Sequence, residues 1–337
     1  MATVRDISAA TGLSTATVSR ALRGQACVSK ETRQTVMEAA KKLGHPSCHI
    51  HRGDSIVVLS SPYEKQITPM MIAVQGMIET GRASGYKIFD YTITDEDTLS
   101  DIADMVNEGI FAGIIIPELP SNLLEKVMQI EDKSRIVQCC GKNDLLRSPC
   151  VLTDDAAAAR KAVEYLISLG HVRIGVLAHS EKRAFSRTRL DAYVKAMTAH
   201  GLRISDSWIH YVNSTRYDFA YQIAVSALKA PDRPTAFFAF TDYYALALVN
   251  AAHDLKIRIP EDLSVIGFDD LELAHIKTPS ITTFRQPFEQ LGNIACSLLI
   301  NSITGDRPSR TEYLIDADLV IRETTGPAPE QQVSPVS

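Results

Sequence analysis

The stretch TVRDISAATGLSTATVSRAL, residues 3–22, predicts two short helices joined by a tight turn. Thr3 can cap the first helix, with Asp6 three residues on in the position of a capping box, and Ile7 lies on its apolar side. Gly12 suits the turn because a residue without a Cβ accepts unusual backbone angles. The pattern therefore predicts a compact two-helix unit at the start of the chain.

The second predicted helix has an apolar side and a polar side. Ser14 can accept a hydrogen bond from its free amides, and Val18 and Leu22 form the inner side. On the outer side, Ala16 and Arg20 lie one turn apart, where both can reach one groove of a DNA duplex. A guanidinium group there can bond guanine in a bidentate manner, although such helix pairs also occur as plain packing units.

A third helix follows this pair and completes a small bundle. Ser29 can cap it, Val36 lies on its apolar side, and Gly44 can end it. The predicted core of the bundle consists of Ile7, Val18, Leu22 and Val36.

The charge of the chain is unevenly distributed. Residues 1–52 contain eight basic and three acidic side chains, a net charge of +5, whereas the whole chain has a net charge of -5. The remaining residues therefore carry a net charge of −10. A basic surface neutralises phosphates, and an acidic body limits nonspecific contact with nucleic acid, so the division favours DNA binding by the first 52 residues.

Length and composition predict more than one domain in a reducing compartment. The chain has 337 residues and is 45% hydrophobic, which is enough for a large core. Its six cysteines show no paired CxxC spacing. The sequence has neither a secretory leader nor an apolar run of the roughly 18 residues that a membrane span needs. We therefore expect a cytoplasmic protein with no membrane partner.

Residues 44–55, GHPSCHIHRGDS, read as a linker because they contain a proline and two glycines and have no apolar period. His45, Cys48, His49 and His51 are possible ligands of zinc or copper. Their spacing matches no closed site, however, so no metal and no cofactor are predicted.

After the linker, short β-branched runs alternate with longer amphipathic segments, which is typical of parallel sheets covered on both faces. The predicted strands are 56–59, 87–91, 113–116, 135–138, 173–177, 236–240 and 263–268, with a strand-like run at 313–320. The predicted helices are 70–84, 99–107, 123–130, 156–169, 190–200, 219–228, 244–255 and 287–303. So many strand–helix units predict two sheets rather than one. A small ligand would bind in the cleft between the two lobes that these sheets form.

Several motifs then occur in the order and spacing of one family. They are VRDISAATGLSTATVSRAL at 4–22, YLISLGHVRIGVL at 165–177, RPTAFFAFTD at 233–242 and IPEDLSVIGFDDLELAHIKTPSITTFRQP at 259–287. Through these motifs the chain resembles the LacI family of transcriptional regulators over nearly its whole length.

The resemblance implies an α/β protein with an N-terminal three-helix helix-turn-helix headpiece. It also implies a periplasmic-binding-protein-like core of two doubly wound parallel-sheet lobes. The implied divisions are a headpiece at 1–46, a linker at 47–54, a core at 55–326 and a disordered tail at 327–337. Within the core, the N-lobe covers about 55–153 and 287–311, and the C-lobe about 154–286 and 312–326.

The resemblance also implies roles for individual residues. On the second helix, Thr15, Ala16 and Arg20 match base-reading positions, and Ser14, Thr17 and Ser19 match positions near phosphates. In the core, Asp154, Arg183, Arg189, Asp242 and Asp269 fall at or near positions that line the effector cleft. Carboxylates and an arginine fork suit the oxygens of a sugar or a nucleoside. Asp154 and Asp242 have a structural alternative, because each can cap the helix that follows it.

Two segments depart from the family pattern. The linker contains Cys48-His49-Ile50-His51-Arg52-Gly53 where similar proteins have an Ala-Arg pair and a leucine that wedges into the minor groove. The segment SSPYEKQITPMM, residues 60–71, lacks the aromatic pair that similar proteins place in the cleft.

The expected function is that of a homodimeric regulator, most simply a repressor, that binds a palindromic double-stranded DNA operator. A small-molecule effector bound between the lobes would control it. The alternative is a ligand-binding or enzymatic α/β protein whose helical head serves only for association. Against an enzyme, the sequence contains no GxxxxGK[ST], GxSxG or HExxH motif, and no GxGxxG follows a strand.

Overall fold

The structure is a computed structural model that describes residues 3–22, 28–43, 53–60, 69–93, 96–180, 183–213, 217–306 and 310–330. The chain divides into two compact units. The first unit comprises Met1–Cys139, Asn143–Cys150 and Gly292–Thr311, and the second comprises Cys140–Lys142, Val151–Leu291 and Glu312–Ser337.

The first unit begins with three short helices, α1 (Val4–Thr11), α2 (Thr15–Leu22) and α3 (Lys30–Lys42). The predicted capping box is confirmed, because the Asp6 N–H donates to Thr3 Oγ1 and the Thr3 N–H donates to Asp6 Oδ2 at 2.7 Å. Gly12 ends α1 with a φ of 69°, a left-handed conformation that favours glycine.

A small apolar core holds these three helices together. It consists of Ile7, Val18, Ala21, Val36 and Ala40, all nearly inaccessible to solvent. The predicted core is therefore confirmed, except that Leu22 is only half-buried at its edge.

The remainder of the first unit is a parallel α/β layer structure. Its elements are β1 (Ser55–Ser60), α4 (Pro69–Ala83), β2 (Lys87–Thr92), α5 (Glu96–Asn107), β3 (Gly113–Ile116), α6 (Ser121–Val127) and β4 (Ile136–Cys139). The strands lie in the order β4-β3-β1-β2 and are parallel. The residues of β1, β3 and β4 are buried, as the continuous apolar runs predicted, whereas the edge strand β2 is mostly exposed.

The second unit contains the larger part of the sequence after residue 150. Its elements are β5 (Cys150–Thr153), α7 (Asp155–Ser168), β6 (Ile174–His179), α8 (Ala184–Ala199), β7 (Ile209–Val212), α9 (Tyr217–Lys229), β8 (Ala236–Ala239), α10 (Asp242–Asp254), β9 (Ser264–Ile266), α11 (Glu272–Ile276) and β10 (Thr283–Arg285). After α12 (Phe288–Thr304), it also contains β11 (Glu312–Ile315) and β12 (Asp318–Val320).

The central sheet of the second unit is parallel, in the order β7-β6-β8-β9, and β10 pairs with β12 as a separate antiparallel ribbon. Successive side chains of these strands point to opposite faces of the sheet and pack into two different hydrophobic cores. Val176 and Phe238 pack with α7 and α8, whereas Leu177 and Phe237 pack with α9 and α10. The predicted doubly wound arrangement is therefore confirmed for this sheet.

Several predicted bounds were wrong. Helix α8 begins at Ala184 rather than residue 190, because Ser186 in its first turn bonds the His179 carbonyl oxygen although the apolar period starts later. Of the predicted strand at 263–268, only Ser264–Ile266 forms β9, and the extended run ends before Asp269 and Asp270, which both adopt positive φ. The run at 313–320 is interrupted and forms β11 and β12, and the short strands β5, β7 and β10 were not predicted.

Some predictions fall outside the described residues. They concern Gly44, residues 47–52 of the linker, residues 61–68, and residues 331–337 of the predicted tail. The four possible metal ligands, His45, Cys48, His49 and His51, also lie there. Residues 327–330 of that tail are described, and the Ala328 N–H donates to the Leu169 carbonyl oxygen at 2.8 Å.

Candidate functional site

Helix α2 presents a polar side opposite its buried side. Val18 and Ala21 are buried in the bundle core, whereas Thr15, Ala16 and Arg20 are exposed. At 100° per residue, these three positions lie within one arc that excludes the buried pair. The structure therefore brings together the three residues for which base reading was predicted.

The hydroxyl groups at the start of α2 form a local network. The Thr17 N–H donates to Ser14 Oγ at 3.1 Å, which confirms the predicted cap, and the two hydroxyl groups lie 2.8 Å apart. Ser14 is exposed, while Thr17 and Ser19 are half-buried. The helix amino terminus, with its positive dipole end, thus lies beside Ser14 and Thr17, two of the three residues for which phosphate contact was predicted, whereas Ser19 lies further along α2.

In the second unit, Arg189 of α8 is the centre of a buried polar cluster. Its Nε donates to Asp155 Oδ1 at 2.8 Å, its Nη2 lies 2.7 Å from the same oxygen, and its Nη1 donates to the Phe240 carbonyl oxygen. The guanidinium carbon lies 3.5 Å from the centroid of the Phe268 ring. Because these groups come from separate elements, Arg189 is fixed in a single orientation.

Asp269 lies beside this cluster, shortly after the end of β9. Its carboxylate accepts a hydrogen bond from Gln286 Nε2 at 2.7 Å, and Thr153 Oγ1 donates to Gln286 Oε1 at 2.5 Å. Burial raises the pKa of Asp269 to about 7, against the opposing effect of the positive charge on Arg189. A protein group that titrates near neutral pH therefore lies next to a fixed cation.

Asp242 is buried within the same region, but the predicted capping alternative for it was wrong. Thr241 caps α10, because its Oγ1 accepts from the Tyr244 N–H, and Asp242 is the first helical residue. The Asp242 carboxylate instead accepts from the Leu271 N–H at 2.8 Å and from Thr283 Oγ1 at 2.6 Å. Burial raises the pKa of Asp242 well above its usual value, and the negative charge of the nearby Asp269 raises it further.

The contacts of Asp154 and Arg183 differ from those of Arg189 and Asp269. Asp154 caps α7, since its Oδ1 accepts from the Ala157 N–H at 2.9 Å, so the structural alternative is confirmed for this residue. Arg183 is the N-cap residue of α8, and its guanidinium carbon lies 5.9 Å from the Phe185 ring centroid.

Sequence reasoning missed Asp155, the residue that pairs with Arg189. Asp154 and Asp155 follow each other in the sequence, and only the second carboxylate points to Arg189. Burial raises the pKa of Asp155, and Arg189 partly offsets this effect. The adjacent acidic pair at the start of a helix was the available signal, because a cap engages one member and leaves the next to point elsewhere.

The sequence matches two family models. It matches the one described as bacterial regulatory proteins, lacI family, over residues 3–47, and the one described as periplasmic binding protein-like domain over residues 163–325. The chain is 30% identical over 352 residues to the HTH-type transcriptional repressor CytR of Escherichia coli (strain K12), and the match covers 97% of both chains.

Two solved structures share the fold. The transcriptional regulator CelR–cellobiose complex superimposes with a TM-score of 0.73 at 25% identity and covers 96% of this chain and 100% of that chain. The lac repressor dimer bound to operator and the anti-inducer ONPF gives a TM-score of 0.73 at 21% identity, with 96% and 99% covered. None of the helices in the described ranges combines the length and hydropathy that a bilayer crossing requires.

Proposed function

This chain belongs to the LacI family of bacterial regulatory proteins and is a DNA-binding transcriptional regulator with an effector-binding core, and we propose that it acts as a repressor. The observation that carries the DNA-binding role is the exposed polar side of α2, with Thr15, Ala16 and Arg20 opposite a buried core. The relative CytR is named as a repressor, which supports the same direction of control here.

In this proposal α2 lies in the major groove. Thr15, Ala16 and Arg20 contact base edges, and Ser14, Thr17 and Ser19 lie near phosphates. The exposed Arg20 can donate two hydrogen bonds to guanine, and the short side chain of Ala16 lets the helix approach the bases closely. The net charge of +5 on residues 1–52 supplies the attraction to phosphates that does not depend on sequence.

The proposed active form is a homodimer on a palindromic operator. Two copies of α2 would then read two half-sites one helical turn apart, because the symmetry of the protein matches that of the DNA. The structurally similar lac repressor is a dimer bound to its operator, which supports this arrangement. We retain the division into a headpiece at 1–46, a linker at 47–54, a core at 55–326 and a tail at 327–337.

The proposed effector contacts lie on the second unit, with Arg189 and Asp269 as the principal pair. Arg189 is held by Asp155 and the Phe240 carbonyl oxygen, and the Asp269 carboxylate is held by Gln286, so both present polar atoms in a fixed orientation. Arg183, Asp154 and Asp242 complete the proposed set of effector contacts. The two aspartates also support the fold, since Asp154 accepts from the Ala157 N–H and Asp242 from the Leu271 N–H. The proposed effector is a sugar or a nucleoside, and its binding shifts the equilibrium between DNA-binding and released states.

We further propose that the protein is a cytoplasmic regulator without enzymatic activity. Its homologues are transcriptional regulators, and the buried carboxylates of Asp242 and Asp269 have hydrogen-bond partners within the protein. Carboxylates held by hydrogen bonds in this way suit the binding of a ligand. The proposal assigns no bond cleavage to any residue.

Footprinting on the DNA upstream of its own gene tests this proposal. We expect protection of two related half-sites whose centres are about 10 base pairs, or a multiple of one turn, apart. Raising the salt concentration should weaken the protection steeply. Uniform protection of all DNA, or none, would instead favour a ligand-binding protein whose helical head serves only for association.

A further inference from the structure

The backbone adopts an unusual conformation at two consecutive aspartates, Asp269 and Asp270, between β9 and α11. Both have positive φ, 125° for Asp269 and 60° for Asp270, which is the region that favours glycine. A residue with a Cβ keeps such a conformation only where its surroundings fix it. The contacts that fix this two-residue segment therefore decide where the Asp269 carboxylate lies.

The Asp270 carboxylate makes contacts of this kind. Its Oδ2 accepts from Arg285 Nε at 2.6 Å, its Oδ1 accepts from Arg322 Nη2 at 2.5 Å, and His275 Nε2 lies 3.2 Å from Oδ1. Only 3% of the Asp270 side chain is exposed. Burial alone raises the pKa of Asp270, but the hydrogen bonds from Arg322 and Arg285 lower it below its ordinary value. Asp270 is therefore a charged carboxylate held between β10, α11 and the residues after β12.

Arg322 is itself held by the backbone that leads into β10. Its Nη1 donates to the Ile281 carbonyl oxygen at 2.7 Å, and its backbone N–H donates to Thr282 Oγ1 at 2.9 Å. The Arg322 side chain is 12% exposed, whereas that of Arg285 is 56% exposed. Arg322 therefore ties Asp270 to a second part of the chain through a largely buried, charge-assisted hydrogen bond.

The neighbouring Asp269 carboxylate shares none of these partners. It accepts from Gln286 Nε2 at 2.7 Å, and the Asp269 N–H donates to the Phe284 carbonyl oxygen at 2.9 Å. The charged side chains that interact with it are Arg189, Asp155 and Asp242. One two-residue segment thus carries two carboxylates with separate partners, and a displacement of Asp270 also displaces Asp269.

We propose that Asp270 is a positioning residue: bound by Arg322 and Arg285, it fixes the positive-φ segment and so holds the Asp269 carboxylate within the Arg189 cluster. This inference rests on the proposed function, in which Arg189 and Asp269 are the principal effector contacts. Asp270 supports that pair without touching the effector. Through Arg322, the residues after β12 become part of the support of the site.

The burial of Asp269 supplies a readout that needs no effector. Because its pKa is raised in the folded state, the variant D269N gains stability relative to its parent as pH rises from about 4 to 7. Trp208, the only tryptophan of the chain, is buried in the second unit, so its fluorescence reports urea unfolding of that unit. We call the increase in the urea midpoint of D269N relative to its parent, over this pH range, the Asp269 signal.

The Asp269 signal is measured in four backgrounds, which are wild type, D270N, R322Q and the control D262N. Asparagine tolerates positive φ, so D270N removes the charge without adding a backbone penalty. Asp262 is also held by an arginine, since Arg258 Nη2 donates to it at 2.6 Å, and it shares no partner with Asp270. Each difference is taken within one background, so the contributions of His275 and other titrating groups cancel.

Position and charge predict opposite results for R322Q. The loss of a positive charge alone raises the pKa of a nearby carboxyl group and enlarges the Asp269 signal, whereas release of that carboxylate into solvent lowers its pKa and shrinks the signal. We expect D270N and R322Q each to reduce the signal by at least about half, and D262N to leave it unchanged. A signal that is unchanged in D270N, enlarged in R322Q or absent from the wild-type protein would overturn the inference.

Two further measurements keep the outcome decisive. If D270N does not fold, R322Q decides alone, and if R322Q does not fold, R285Q replaces it with the same expected reduction. Footprinting separates this inference from the proposed function. A protein that protects its operator while D270N leaves the signal unchanged keeps its regulatory function and loses the role given to Asp270. A protein that protects no specific DNA loses the proposed function itself.

Discussion

In the proposed function, Arg20 is the residue on which sequence recognition by α2 most depends. It is exposed, lies in the last turn of the helix, and carries the only guanidinium group on the polar side of the described α2. We predict that Arg20→Ala weakens operator binding by about 1–3 kcal/mol and relaxes the base preference at one position in each half-site. Fluorescence anisotropy at fixed salt, with single-base operator variants, measures both effects.

A matched arginine far from α2 in the sequence provides the control for this prediction. Arg82 is exposed in the last turn of α4, and Arg82→Ala removes the same charge without altering the headpiece. Arg20→Lys should keep most of the nonspecific affinity and lose the bidentate contact. If Arg20→Ala and Arg82→Ala behaved alike, the base-reading role of Arg20 would be refuted.

The buried carboxyl group of Asp269 predicts a pH dependence of stability. Its pKa is raised in the folded state, to about 7, so the unfolded chain releases this proton at a lower pH than the folded chain does. The folded state is therefore penalised progressively as pH rises from about 4 to 7. We predict that Asp269→Asn, which removes the ionisation, gains stability relative to wild type across this window, as measured by urea unfolding at several pH values.

Asp262 gives the opposite case and serves as the control. Its contact with Arg258 lowers its pKa to about 2, so any contribution it makes to stability is complete by about pH 5. The difference in unfolding free energy between Asp262→Asn and wild type should therefore not change between about pH 5 and 8. If the difference in unfolding free energy between Asp269→Asn and wild type were also independent of pH, the burial of an ionisable carboxyl group at Asp269 would be contradicted.

At the scale of elements, the packing of α12 against α4 depends on one glycine. A Cβ added to Gly292 would overlap the Ala73 carbonyl oxygen and come within 2.8 Å of the carbonyl carbon, and backbone atoms cannot rotate away. We predict that Gly292→Ala destabilises the first unit by about 3 kcal/mol, since overpacking forces the two helices apart. Urea unfolding followed by circular dichroism measures this loss.

Gly201→Ala is the comparison for that experiment. Gly201 has a φ of 64° with open space around it, so alanine there meets only the backbone penalty of about 1–2 kcal/mol. A loss at Gly292 no larger than the loss at Gly201 would show that α12 and α4 do not pack closely.

Most elements could be predicted from periodicity and caps, because those signals are local. The capping box of Thr3 and Asp6, the turn at Gly12 and the buried strand β3 are examples. The start of α8 could not be predicted this way, since its first turn is held by the bond from Ser186 to the His179 carbonyl oxygen rather than by an apolar period. Short strands such as β10 depend on a distant partner, β12, and lack a local pattern.

The polar cluster of the second unit could be predicted only in part. The resemblance to the family pointed to Arg189 and Asp269, but not to their partners Asp155 and Gln286, because these pairings join residues 34 and 17 positions apart.

At the scale of the whole molecule, the separation of charge explains how a short basic headpiece can work on an acidic chain. Residues 1–52 carry a net charge of +5 and the rest −10. The headpiece can approach phosphates, while the remainder repels them and restricts nonspecific DNA contact to one part of the chain. In the proposed function, specific binding then depends on base contacts by α2 rather than on total charge.

The affinity ratio between two DNA duplexes tests this account most directly. Fluorescence anisotropy at one salt concentration compares the duplex protected upstream of the gene with a scrambled duplex of equal length and composition. We predict that the wild-type protein binds the protected duplex at least about 1,000-fold more tightly, as specific regulators do. Equal affinity for the two duplexes would contradict the assignment of this chain as a sequence-specific regulator that reads DNA through α2.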